Sequence, residues 1–177
     1  MPTYIALLRG INVGGHHKVA MADLRAWFEA AGHVDVTTYI QSGNVVFTGS
    51  GARDKIESDL ERRLKRETGF DLAVVTRTAT EWDKVVRNNP YPKAAPTSLI
   101  VSFLKKPPPR AALRTIDVAA FAPDEFTAKG REIYLHLPNG QGRAKLPQAL
   151  NRVQGTATAR NWQTVLKLLD LARASGA

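Results

Sequence analysis

The sequence predicts an α+β protein of two βαββαβ halves in tandem, with a C-terminal helix docking across them. Three observations carry this. Short apolar runs alternate with helix-period stretches in the same order twice. Residues Tyr39–Phe47 superpose on Phe126–Tyr134 at an offset of 87 residues, with Gly43 falling on Gly130. A proline-spaced stretch, Asn89 to Pro96, separates the two runs, and no helix continues through it. The order is the ferredoxin-like pattern, and its recurrence indicates duplication.

In the first half, Tyr4 to Leu8 reads as a buried strand. Met21, Leu24, Phe28 and Ala31 follow at helical spacing, closed by Gly32. Val36 to Gln41 and Val45 to Phe47 flank the turn Ser42-Gly43-Asn44. Ile56, Leu60 and Leu64 mark a second helix ended by Gly69, and Leu72 to Val75 a fourth strand. Thr78 to Glu81 matches a capping box for a third helix, with Trp82, Val85 and Val86 inward.

The second half restarts with strand Leu99 to Leu104 and a helix over Pro109 to Val118. Strands Glu125 to Ala128 and Ile133 to Leu137 follow. A short helix near Pro147 to Val153 and an extended piece at Thr156 to Thr158 complete it. Trp162, Val165, Leu166, Leu169 and Ala172 form the stripe of the terminal helix, widened by Leu168 and Leu171. The predicted domains are residues 1–88, a linker 89–97, and residues 98–177.

The chain has 177 residues, no cysteine and a formal net charge of +9. Disulfides and cysteine nucleophiles are thereby excluded, and a cytoplasmic protein is expected. No apolar run approaches membrane length, and no signal peptide is evident at Met1-Pro2-Thr3. Residues 1–89 carry 12 lysines and arginines against 11 acids, and residues 90–177 carry 13 against 5. The excess charge therefore lies in the second half, where it attracts anions.

Three constellations are candidates for function. The first is the glycine-rich loop after the first strand, with Arg9, Asn12, Gly14, Gly15 and Lys18. Glycines before a helix let N–H groups converge on an anion. The loop is neither a Walker A sequence nor Gly-x-Gly-x-x-Gly, so no nucleotide cofactor motif is present. Adjacent His16 and His17 diverge and lack a nearby carboxylate, so no metal is expected. The second is the hairpin turn, where Gln41, Ser42 and Asn44 either orient a ligand or cap the turn. The third pairs Asn139–Lys145, containing Arg143 and Lys145, with Thr158–Trp162, containing Arg160 and Asn161. Cations there oppose the dipole of the helix that follows, so a bound anion or a distant carboxylate is expected to balance them. Asn161 also suits an N-cap.

The motifs Leu7–Gly15, Thr38–Phe47, Leu137–Gly140 and Thr158–Trp162 resemble the bacterial family called domain of unknown function 1697. The resemblance implies two ferredoxin-like halves in a cytoplasmic protein and brings no reaction with it. Three functional readings stay open. One is a binding module for a phosphate-bearing partner, nucleic acid or nucleotide. Another is an enzyme acting on a small anionic metabolite in a hollow between the Gly14-Gly15 loop and the first hairpin. The last is a protein adaptor. The RNA-stacking motif of βαββαβ domains is absent from both third strands. Free sheet edges leave a homodimer open.

Overall fold

The computed structural model describes residues 1–176. The chain forms β1 (Thr3–Leu8), α1 (Met21–Ala30), β2 (Val34–Tyr39), β3 (Asn44–Thr48), α2 (Arg53–Thr68), β4 (Val74–Thr78) and α3 (Ala79–Arg87). It then forms β5 (Leu99–Leu104), α4 (Arg110–Leu113), β6 (Glu125–Lys129), β7 (Glu132–His136), α5 (Leu146–Asn151), β8 (Ala157–Asn161) and α6 (Trp162–Ser175). Both sheets are antiparallel and four-stranded, ordered β2-β3-β1-β4 and β6-β7-β5-β8. The two ferredoxin-like halves are thus the same topology written twice. Two compact units result, Met1–Lys84 with Lys167–Ala177, and Val85–Leu166.

The repeat is longer than the βαββαβ pattern suggests. Each half ends in a helix directly after its last strand, so α6 is the second copy of α3. Both starts are capped. Thr78 Oγ1 accepts from the Glu81 N–H at 3.1 Å, and Glu81 Oε2 accepts from the Thr78 N–H at 2.8 Å. At α6 the Thr164 N–H donates to Asn161 Oδ1 at 2.9 Å.

In the first unit, α1 and α2 cover one sheet face. Leu24, Phe28, Ile56, Leu60 and Leu64 pack on Tyr4, Ala6, Leu8, Val45, Phe47 and Val74. Gly69 ends α2 in the left-handed region, its N–H reaching Lys65 O at 2.8 Å. In the second unit, Ile100, Leu104, Ile133, Leu135, Leu146, Leu150 and Ala157 form the corresponding core. The predicted linker is pinned down there. Tyr91 Oη lies 2.7 Å from Thr127 Oγ1, and its ring stacks on His136, whose Nδ1 is 3.1 Å from Glu125.

Several sequence expectations shift. The helix expected over Pro109 to Val118 is one turn, Arg110–Leu113, followed by a 3-10 turn at Val118–Phe121. The extended piece at Thr156 to Thr158 is the full strand β8. Strand β4 runs on to Thr78, carrying the buried polar residues Thr76 and Arg77 that masked it. Leu166 lies outside the buried stripe of α6. The hairpin superposition is off by three residues in the leading strand, where Tyr39 corresponds to Lys129, and by one in the returning strand. Phe47 pairs with Tyr4 and Leu135 with Ile100, so Phe47 corresponds to Leu135 and not to Tyr134. The first turn is two residues longer, and a one-residue slip exchanges sheet faces.

Candidate ligand-binding site

The first two constellations form one scaffold. Gly14 and Gly15 sit at the tip of a small finger, where His16 N–H donates to Val13 O at 2.9 Å and Asn12 N–H to His17 O at 3.1 Å. The tip is exposed and stands well before α1, which begins at Met21 with Asp23 in its first turn. The glycines therefore do not converge on a helix start, and the acid there disfavours an anion.

Asn12 ties the finger down. Its Nδ2 donates to Val19 O at 3.0 Å and Gln41 O at 2.8 Å, and its Oδ1 accepts the Val19 N–H at 2.9 Å. The side-chain amide is engaged with backbone at both its nitrogen and its oxygen. Asn44, fully buried, donates to Tyr39 O and Ser42 Oγ at 2.9 Å each, so it builds the turn. Gly43 has φ +87, and a Cβ there would lie 2.8 Å from Ile11 Cδ1 and 2.9 Å from Leu8 Cβ. The hollow expected between loop and hairpin is therefore filled at Gly43 by Ile11. Arg9, Lys18 and the Gln41 side chain are exposed around this scaffold. His17 stacks on Phe70 at 4.3 Å, with Nδ1 3.2 Å from Gly10 O.

The third constellation comes together by its two backbone stretches, and not by the side chains of Arg143, Lys145 and Arg160. A cavity of about 350 Å³ in the second unit is lined by Gln141, Gly142 and Ala144 of the basic loop and by Ala159, Arg160 and Asn161 of β8. Its floor is apolar, with Ile100, Leu135, Pro147 and Leu150. Its polar wall is neutral. The Ser102 hydroxyl donates to Gln154 Oε1 at 3.1 Å, and Gln154 Nε2 donates to Asn151 Oδ1 at 2.6 Å. Ser102 and Gln154 are only 3% and 6% exposed.

The repeat explains why the cavity exists. Ala6 pairs with Val45 and Thr76, and Ser102 holds the same place between Ile133 and Ala159. In the first half the 16-residue α2 lies over this point, and Glu57 Oε1 accepts from Thr76 N–H at 2.7 Å and Thr76 Oγ1 at 2.9 Å. The second half replaces α2 with the six-residue α5 and Thr76 with Ala159. The space filled in one copy stays open in the other.

Arg160 borders the cavity by its backbone. It pairs with Val101, so strand alternation turns its side chain to the face opposite Ile100 and Ser102. Its guanidinium donates to Thr158 Oγ1 and Ala159 O at 2.8 Å each. Burial pulls its pKa down to about 10, which leaves it charged at neutral pH. Arg77 is its counterpart in β4 and donates likewise to the carbonyl of the residue before it, Thr76, at 2.8 Å. Asn161 caps α6 with Oδ1. Arg143 and Lys145 are exposed on the loop, and Arg143 also borders an adjoining hollow with Asp124 and Asn139.

Ser102, Gln148, Asn151 and Gln154 escaped the sequence reading. The one available signal was a serine inside the apolar run Leu99–Leu104. Among the described residues no three histidines or carboxylates gather as a metal site, and no helix is long and apolar enough to cross a membrane.

Fold and cavity together define a duplicated α+β protein with a single-copy pocket. The family model described as "Protein of unknown function (DUF1697)" matches residues 1–134, and the chain belongs to that family. The conserved bacterial protein SP0830 from Streptococcus pneumoniae shares the fold, with a TM-score of 0.77 and 22% identity. The match covers 97% of this chain and 98% of that one. No curated protein matches the sequence.

Proposed function

We propose that the protein binds a small phosphate-bearing ligand of the nucleotide type in the cavity of its second half. The supporting observation is that the loop carrying the exposed Arg143 and Lys145 walls one cavity together with β8. In this reading the apolar floor takes the uncharged part of the ligand. Arg143 and Lys145, on the loop that supplies Gln141, Gly142 and Ala144, meet the phosphate. A volume of about 350 Å³ suits a small molecule better than a polymer.

Isothermal titration of the full chain with nucleoside mono- and triphosphates and inorganic pyrophosphate tests the proposal. Saturable binding that weakens in Arg143→Ala and Lys145→Ala, and not in Arg9→Ala or Lys18→Ala, is expected. Equal losses at both places would refute it. A short RNA binding far more tightly than any mononucleotide, with a log-linear salt dependence, would assign the charge to a polyanion instead.

A further inference from the structure

Within that cavity, and resting on the proposed nucleotide reading, we infer that the wall Ser102–Gln154–Asn151 recognises the hydrogen-bonding edge of a neutral planar heterocycle, the base of the ligand. The directions of its two hydrogen bonds determine what remains available. Ser102 donates its hydroxyl hydrogen to Gln154 Oε1, so Ser102 Oγ faces a ligand as an acceptor. Gln154 Nε2 gives one hydrogen to Asn151 Oδ1 and keeps the other. Asn151 Nδ2 keeps both of its hydrogens outside this chain of bonds. The wall thus reads acceptor, donor, donor in order from the strand to the helix.

The complement is an edge with a donor beside an acceptor, as in the N–H/C=O or NH2/ring-nitrogen edges of nucleobases. No carboxylate lines this cavity, so it holds no fixed negative charge to pair with a cationic group. The faces of a planar ring match the aliphatic floor of Ile100, Leu135 and Leu150, and Ala159 leaves clearance above β5. The Gln154 side chain is held from both sides, by Ser102 at Oε1 and by Asn151 at Nε2, and its backbone N–H donates to Leu150 O at 2.9 Å. Its amide is therefore oriented before any ligand arrives, which lowers the ordering cost of binding.

The test compares ligands with and without a base on the same variants. Ser102→Ala and Gln154→Leu should each weaken nucleoside monophosphate binding roughly fivefold, the scale of one buried neutral hydrogen bond. Both should leave pyrophosphate and ribose 5-phosphate unchanged, and thermal melts check that each variant is folded. Equal weakening of all three probes, or of none, overturns the inference while the phosphate reading stands. Nucleosides binding without any contribution from phosphate would refute the phosphate reading and support this one. If no probe binds the wild-type chain, both fail.

Discussion

Replacing Asn12 with alanine is expected to damage the fold and spare the ligand. Three hydrogen bonds are lost, two from Nδ2 to Val19 O and Gln41 O and one from the Val19 N–H to Oδ1. At a net of about 0.5–1.5 kcal/mol each, they sum to about 1.5–4.5 kcal/mol. Asn12 also sits at φ +54, where alanine costs about 1 kcal/mol more. Asn12→Gly removes the bonds without that backbone strain and separates the two contributions. Urea denaturation measures the loss, and amide exchange at Val19 reports the local opening directly. A loss under about 1 kcal/mol for Asn12→Ala, with Val19 still protected, would refute the clamp. Weakened nucleotide binding in a variant of undiminished stability would return Asn12 to the ligand site.

Other expectations follow from the same geometry. Gly43→Ala should cost about 2–5 kcal/mol, combining positive φ with crowding against Ile11 and Leu8. Gly130→Ala at φ +58, with open space around it, should cost about 1 kcal/mol. Matching midpoints in denaturant would show that the close approach at Gly43 is not tight. Burial holds the His33 imidazole below its usual 6.5, with Asp59 opposing. The unfolded chain therefore protonates first, and stability is full above about pH 6.5 and falls as the pH drops through it. His33→Gln should flatten that slope, and an unchanged slope would remove His33 as its source. Thr78→Ala should lose about 1 kcal/mol through the α3 cap, and no shift in melting would contradict the reciprocal pair.

The topology was legible because it rests on local periodicity. Leu24 and Phe28, or Ile56, Leu60 and Leu64, repeat at helical spacing whatever surrounds them. The capping box at Thr78 and Glu81 was legible for the same reason. Strand β4 was cut short because Thr76 and Arg77 are polar yet buried, a choice made by tertiary partners such as Glu57. The copy relation of α3 and α6 was hidden because Thr78 and Asn161 cap their helices with different side chains.

The site was legible in part. The basic loop and β8 were both singled out by charge, yet charge gave no role to Ser102, Asn151 or Gln154, which are neutral. Arg160 drew attention as a cation before a helix, although strand alternation turns it away from the cavity. The glycine loop and hairpin turn stood out as polar and glycine-rich, and their amides hold the backbone. Sequence spacing does not show whether an amide meets its own chain or a ligand.

The most direct test is titration of a nucleoside monophosphate into the wild type and Ala159→Leu. Ala159 pairs with Ser102 and lines the cavity, so leucine projects into it. Saturable binding to the wild type and a loss of roughly tenfold or more in the variant, with its melting temperature retained, is the predicted result. Equal affinity for both proteins would contradict a ligand in the cavity.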